Sequence, residues 1–173
     1  MTAPATFATA RFTMRPLQRS DAAALLPTLG DREQCRYLSR ERFADEAELW
    51  RWLSDPDWNG RTWIAEDAGG VAGRFVAMPA HDPDVAEVGY ITCAHRQREG
   101  VAAECMAALI GHLFGEGQRK LTAVVDFENA ASARLAERLG FRREAAFEEH
   151  ETTHEGVRSV YWYGLLSREW PPA

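Results

Sequence analysis

The stretch that decides the fold of this chain reads Gln97-Arg98-Glu99-Gly100-Val101-Ala102-Ala103-Glu104. It follows a strand-like run over 86–91 and opens an apolar helical run over 105–110. The first N–H groups of a helix have no partner within the helix, and the helix dipole adds partial positive charge there. A loop with a glycine at that point is therefore a natural anion cradle. The first hypothesis is a ligand that carries a pyrophosphate, as nucleotide-containing cofactors do.

The composition is that of an ordinary globular protein. Hydrophobic residues make up 46% and charged residues 27% of the 173 residues, which favours one well-formed core. We expect a single domain over residues 1–173, with residues 1–9 as a flexible N-terminal extension. The net charge of -6 argues against DNA or RNA as the main partner but suits a cationic one.

Neither a metal site nor a disulfide framework is expected. The cysteines, Cys35, Cys93 and Cys105, are odd in number without a CxxC pair, and the histidines lack metal-ligand spacing. We expect these thiols to be buried, in a reducing compartment. We also expect neither a signal peptide nor a bilayer-spanning segment. These features predict a cytoplasmic protein without a membrane partner. The oligomeric state stays open between a monomer and a homodimer.

Hydrophobic periodicity predicts the order strand, two helices, three strands, helix, strand, helix, two strands. Gly69-Gly70 is typical of a hairpin turn, and 45–48 has the spacing of a capping box. Ser20 and Asn129 are placed to cap helices. This order predicts an α/β (α+β) fold with a mixed, mostly antiparallel sheet of about six to seven strands. Helices are expected on both faces of the sheet.

Three motifs in this order resemble the GCN5-related N-acetyltransferase (GNAT) superfamily. Gln97-x-x-Gly100-x-Ala102 matches its phosphate loop, and Asn129-Ala130-Ala131-Ser132 fits an Asn-x-x-Ser motif of one branch. The ending over 163–170 is similar to the closing strand of the same branch, which contains the ribosomal-protein N-terminal acetyltransferases RimJ and RimL. The resemblance extends over nearly the whole chain and implies the GNAT fold.

The resemblance also implies acetyl-CoA as the co-substrate. In this family, loop N–H groups hold the pyrophosphate, and the pantetheine arm pairs with an exposed strand edge. The residues assigned to this ligand are Ile91, Thr92, Cys93, Gln97, Arg98, Glu99, Gly100, Val101, Ala102, Asn129 and Ser132. Arg96 and Arg98 are expected to add charge-assisted contacts. Glu99 is the unusual member of the loop, and we expect its carboxylate to turn away from the phosphates.

Three catalytic candidates follow from the resemblance. Glu87 lies where related enzymes place a base, although such a carboxylate can instead bind the substrate's ammonium or pair with an arginine. Ser132 is the candidate acid toward the CoA thiolate, with an ordinary helix-start serine as the alternative. Tyr90 is the second candidate acid or, alternatively, a packing residue. A backbone N–H near Ile91 or Thr92 is expected to donate to the oxyanion.

Together these features predict transfer of acetyl from acetyl-CoA to a primary amine, by direct attack in a ternary complex. The acceptor stays open between a protein N-terminus and a small-molecule amine. The acidic run Glu144, Glu148, Glu149 and Glu151 could receive a cationic acceptor or form a solvated strand face. Two alternatives stay open: a non-catalytic acyl-CoA-binding or sensing module, and an acyltransferase that uses a longer acyl-CoA.

Overall fold

The fold is built on one sheet, seen in a computed structural model that describes residues 4–171. The strands span Phe7–Ala8 (β1), Thr13–Pro16 (β2), Arg61–Asp67 (β3), Gly70–Pro79 (β4), Val85–Thr92 (β5), Lys120–Asp126 (β6), Arg142–Thr153 (β7) and Gly156–Leu166 (β8). The helices span Asp21–Leu29 (α1), Glu46–Leu53 (α2), Val101–Gly115 (α3) and Ala130–Arg138 (α4). The strand order across the sheet is β1-β2-β3-β4-β5-β6-β8-β7. No helix among the described residues is long and apolar enough to cross a membrane.

β1 is the strand that the sequence did not predict. Phe7 pairs with Met14 of β2, and its ring stacks on His112 of α3 with ring centroids 4.5 Å apart. This apolar contact holds at the sheet edge a segment that was expected to be part of a flexible extension over residues 1–9. Residues 1–3 of that extension lie outside the described residues. The rest of the sheet is mixed and mostly antiparallel, as predicted, with β5 and β6 as its parallel pair.

Polar side chains lie at the N-termini of α1 and α2, where the sequence predicts helix caps. Asp45 accepts a hydrogen bond from the Glu48 N–H at 2.8 Å, which is the cap predicted for α2. Ser20 precedes α1 as predicted, but its side chain makes no capping hydrogen bond. The carboxylate of Asp21 instead reaches back and accepts from the Gln18 N–H at 2.7 Å, a donor that lies before the helix. Ser20 therefore occupies the predicted N-cap position without the side-chain bond, and its backbone has right-handed helical angles rather than the extended ones typical of a capping residue.

The helices cover both faces of the sheet, as predicted. α3 and α4 pack on one face, over a buried cluster that includes Phe75, Leu109 and Tyr163. α1 and α2 pack on the other face, over a cluster that includes Leu25 and Ile64. We call these the α3–α4 face and the α1–α2 face. Every cysteine of the chain is buried within one of the two clusters.

β5 and β6 separate after a short parallel pairing. Residues 85–87 of β5 pair with 120–122 of β6. Beyond that point 88–92 stays paired with β4, and 123–126 stays paired with β8. The facing edges of the two strands have no strand partner among the described residues, so their backbone donors and acceptors are open. We call this opening the strand split.

Polar contacts hold the two sides of the strand split apart. Asp126, at the end of β6, accepts hydrogen bonds from Arg158 of β8 at 2.7 and 2.8 Å. Just beyond β5, the Cys93 N–H donates to the Ala72 carbonyl of β4 at 2.9 Å. Each strand end is therefore fastened to its own half of the sheet, which keeps the edge between them exposed.

Candidate active site

The backbone of the loop before α3 alternates between positive and negative φ. Arg98 has φ of 66° and Gly100 has φ of 80°, with Glu99 between them outside the positive-φ region. Alternation of this kind turns successive N–H groups toward one concave side, which binds anions. A left-handed arginine costs about 1–2 kcal/mol, so the surrounding structure must hold the loop in this shape. The backbone itself therefore has the alternating shape that an anion cradle requires.

The start of α3 leaves its first N–H groups open. Gly100 is the N-cap of this 15-residue helix, and no side chain caps it. The first backbone bond within the helix is donated by the Glu104 N–H to the Gly100 carbonyl, at 3.0 Å. The N–H groups of the residues between them, including Val101 and Ala102, have no intrahelical acceptor. A pyrophosphate placed here would satisfy them and meet the positive end of the helix dipole.

The charged side chains of the loop are arranged differently from the prediction. Arg96 donates to both carboxylate oxygens of Asp67, at 3.0 and 2.6 Å, and to Glu99 at 2.9 Å. It therefore stiffens the loop rather than reaching toward a phosphate. Glu99 directs its carboxylate at Arg96, which partly neutralises it. Arg98 makes no ion pair with any residue in the described part of the chain, so its charge is available to a ligand.

The remaining residues predicted to bind the cofactor flank this loop. Gln97 donates through Nε2 to Gln34 at 2.7 Å and so ties the loop to the segment after α1. Ile91 and Cys93 direct their side chains into the α1–α2 cluster, which leaves backbone contacts as their route to a ligand. Thr92, between them, is half-buried at the end of β5. Burial also raises the pKa of the Cys93 thiol, which disfavours the reactive thiolate.

Tyr90 and Ser132 meet on the α3–α4 face of the strand split. Their hydroxyl oxygens are 3.1 Å apart, and either can be the donor. The Tyr90 ring stacks on Phe75 with centroids 6.2 Å apart, so the ring packs while the hydroxyl reaches the site. Burial raises the pKa of Tyr90, and the hydrogen bond to Ser132 opposes this shift. Asn129 caps α4 by accepting from the Ser132 N–H at 3.1 Å, which orients the serine.

Glu87 lies on the opposite face, because it is three residues from Tyr90 on the same strand. It lines a cleft of about 360 Å³. The other lining residues are Tyr37, Leu38, Ser39, Val124, His150, Glu151, Thr153 and Trp162. Burial raises the pKa of Glu87, and the negative charge of Glu151 raises it further. Among the described residues, neither carboxylate has an ion-pair partner, so the cleft is suited to a cation.

Part of this site could not be read from the sequence. Tyr37, Leu38 and Ser39 come from the irregular segment between α1 and α2, which carries no motif. Glu151 stood out only as one member of an acidic run. Its position beside Glu87 depends on the pairing of β7 with β8 and of β8 with β6. A local pattern cannot reveal such contacts between distant strands.

Comparisons with known proteins identify the family. The family model described as an acetyltransferase (GNAT) domain matches residues 11–142. An uncharacterised N-acetyltransferase, p20, of Bacillus licheniformis is 26% identical, over 95% of this chain and 98% of that protein. A GCN5-related N-acetyltransferase from Brucella melitensis superposes with a TM-score of 0.86 at 26% identity, over 98% of this chain and 82% of that one. Spermidine N-acetyltransferase from Vibrio cholerae, in complex with CoA and spermine, superposes with a TM-score of 0.80 at 21% identity, over 92% and 98%.

The chain belongs to the GNAT acetyltransferase family and has the GNAT fold. It is an acyltransferase, and its family uses acetyl-CoA. The geometry fits that ligand, because the uncapped start of α3 and the strand split offer sites for the pyrophosphate and for an extended amide-containing arm.

Glu99→Gln tests the charge balance of the loop. Removing this carboxylate is expected to tighten CoA binding about two- to threefold at low salt, which is the scale of an exposed charge contact. Calorimetric titration with CoA measures the change. The matched control is Glu41→Gln, because Glu41 is also an exposed carboxylate paired with an arginine, Arg32, but lies outside the loop. Glutamine keeps a side-chain oxygen that can accept from Arg96, so the loop stays held, and weaker binding by Glu99→Gln would contradict the assignment of this loop to the pyrophosphate.

Proposed function

We propose that the protein transfers an acetyl group from acetyl-CoA to a primary amine by direct attack in a ternary complex. The observation that supports this most is the strand split. It lies between the Tyr90–Ser132 pair on one face and the Glu87 cleft on the other. A thioester that reaches the split from the α3–α4 face would meet an amine that approaches from the α1–α2 face.

The loop and the edge of β5 have the binding role in this proposal. The N–H groups at Gly100, Val101 and Ala102 hold the pyrophosphate, and Arg98 adds a charge contact. The open edge over 88–92 pairs with the amide groups of the pantetheine arm, as an added strand would. A backbone N–H near Ile91 or Thr92 donates to the carbonyl oxygen on which negative charge develops.

Glu87 has two complementary roles at the acceptor. Together with Glu151 it attracts a cationic amine into the cleft, where Tyr37 and Trp162 provide aromatic walls. Its raised pKa also suits it to take the ammonium proton, directly or through a water. The neutral nitrogen then attacks the thioester carbon, so that a C–N bond forms and the C–S bond breaks.

Ser132 and Tyr90 act on the leaving group. The departing sulfur accepts the proton of one hydroxyl, and the other hydroxyl donates to the oxygen that has lost its proton. The attacking nitrogen still has to lose a second proton to become an amide, and that proton restores the hydroxyl, so that the products are the amide, the CoA thiol and the proton taken by Glu87. The distance of 3.1 Å between the two oxygens allows this relay. Cys93 takes no part, because its thiol is buried in the cluster under α1 and α2.

The proposal is tested by thiol release from acetyl-CoA with a panel of amines, with mass-spectrometric detection of the added acetyl group. The panel contains a monoamine, a polyamine, an amino acid, and a peptide with a free N-terminus. The peptide also tests the finer prediction of a place near RimJ and RimL. We expect turnover with at least one cationic amine and slower turnover by Glu87→Gln. Tight CoA binding without turnover on any acceptor would instead favour the sensing module. Turnover only with longer acyl-CoA donors would favour the alternative of an acyltransferase that uses a longer acyl group.

The pH profile tests the base. Since Glu87 must be deprotonated to act, kcat/KM falls as the pH drops through its raised pKa. Replacing Glu151 with Gln removes a negative charge that raises this pKa. The acid limb, which is the fall of kcat/KM at low pH, is therefore expected to move to lower pH. Glu148→Gln removes the same charge from an exposed site on the same strand and is expected to leave the limb unmoved. An acid limb that does not respond to Glu151→Gln argues against Glu87 as the titrating base.

A double-mutant cycle tests the relay. Ser132→Ala and Tyr90→Phe are each expected to lower kcat by about 10²-fold, the lower end of general acid catalysis, with little change in CoA affinity. The double variant is expected to be barely slower than either single variant, since the two hydroxyls act as one unit. Independent effects that multiply in the double variant would show that the two hydroxyls do not share one proton path.

Cys93→Ala tests direct attack. The thiol is buried and its pKa is raised, so we expect activity to stay largely intact. Steady-state kinetics with acetyl-CoA, beside a thermal unfolding curve, provides the measurement. A complete loss of turnover with CoA binding retained would support an acetyl-cysteine intermediate and overturn direct attack.

A further inference from the structure

Arg11 connects the N-terminal segment to the start of α3. Its Nη2 donates to the Glu99 carbonyl oxygen at 2.9 Å, and its Nε donates to a carboxylate oxygen of Glu104 at 2.7 Å. The Arg11 backbone N–H donates to the other carboxylate oxygen at 2.8 Å. One side chain is thus bonded to the peptide that precedes Gly100 and to the first turn of the helix that follows it.

The turn that carries Arg11 is itself rigidly held. The Thr9 hydroxyl donates to Glu104 at 2.6 Å and accepts from the Phe12 N–H at 2.8 Å. Glu104 therefore receives bonds from the Thr9 hydroxyl, the Arg11 backbone and the Arg11 guanidinium. Hydrogen bonds to an ionised carboxylate are shorter and stronger than neutral ones. The guanidinium is consequently fixed in position relative to α3.

The hydrogen bond from Arg11 fixes the orientation of the peptide group between Glu99 and Gly100, which could otherwise flip. The peptide between Glu99 and Gly100 is trans, since no described peptide bond is cis, so its C=O and N–H point in opposite directions. Glycine adopts positive and negative φ almost equally well, so Gly100 alone does not choose an orientation. Because Arg11 holds the Glu99 carbonyl on one side, the Gly100 N–H is directed to the other side.

We propose that Arg11 is a positioning residue that directs the Gly100 N–H toward the pyrophosphate. The inference rests on the proposed CoA site and adds to it a residue on a segment distant in sequence from the loop. The Nε–H and one Nη2–H of Arg11 are already bonded to Glu104 and Glu99, and it is through these two bonds that we assign it a positioning role. Its effect should therefore appear only with donors that carry the pyrophosphate.

The experiment compares acetyl-CoA with S-acetylpantetheine, which lacks the pyrophosphate, using Arg11→Ala and Arg11→Lys. Both variants are expected to raise KM for acetyl-CoA about tenfold, the scale of one lost charged hydrogen bond, and to leave kcat/KM for S-acetylpantetheine unchanged. Lysine keeps the charge but cannot hold both partners with a planar fork. Equal losses with both donors, or full recovery by lysine, would overturn the proposal. Failure of the wild-type protein to bind CoA would instead count against the proposed function itself.

Arg61→Ala is the matched control, because Arg61 pairs with Glu116 at 2.7 Å near the other end of α3. It removes an ion pair to Glu116, the residue that directly follows α3, and is expected to leave KM for acetyl-CoA unchanged. If Arg61→Ala raised KM for acetyl-CoA as much as Arg11→Ala does, the cause would be a general loosening of α3, and the proposal would be overturned. Thermal unfolding of each variant shows that the comparison is made between folded proteins.

Glu104→Ala separates positioning from simple charge. It removes a negative charge near the phosphates, so electrostatics alone predicts tighter CoA binding. It also removes the anchor of Arg11, so positioning predicts binding weaker by several-fold. Calorimetric titration with CoA gives the sign of the change, and tighter binding would overturn the proposal.

Discussion

The active-site geometry depends on the point at which β5 and β6 stop pairing. If the two strands paired along their whole length, the sheet would be continuous and no ligand could reach from one face to the other. The pairing covers only 85–87 and 120–122, after which β4 and β8 each retain one strand. Backbone groups left open in this way need a partner, and an extended ligand with amide groups is well suited to provide one.

At the strand split, the proposed catalytic groups also lie on opposite faces of the sheet. The Tyr90 and Ser132 hydroxyls lie on the side of α3 and α4, while Glu87 and Glu151 lie on the side of α1 and α2. In the proposed reaction, the acid for the leaving sulfur and the base for the incoming amine therefore lie on opposite faces of the sheet. Each group also has its own environment, and burial raises the pKa of both Glu87 and Tyr90.

Local patterns were sufficient for the loop, the helices and all the strands but one. Gln97 to Glu104 could be read because the glycine, the helix and the preceding strand are adjacent in sequence. β1 was missed because a strand of two residues has no periodicity, and its stability comes from Phe7 stacking on His112. Ser20 occupies the predicted N-cap position without a side-chain bond, because the sequence does not reveal that its backbone is already helical there.

The contacts that sequence could not predict join distant segments. Arg11 and Glu104 are separated by 93 positions, and the Arg96 partner Asp67 lies 29 positions away. Arg96 was expected at the phosphates because sequence reveals its charge but not the carboxylates that already hold it. Tyr90 and Ser132 were considered as alternative acids, and only the folded chain shows their oxygens 3.1 Å apart. Such pairings follow from the order of strands in the sheet, which brings the two residues together.

The central claim is that CoA binds across the loop at Gly100 and along the open edge of β5. Backbone amide chemical shifts, recorded by NMR during titration of the full chain with CoA, test this most directly. The account predicts the largest changes at Gly100, Val101 and Ala102 together with residues 88–92. Changes confined to other parts of the chain, with the loop and this edge unaffected, would contradict it.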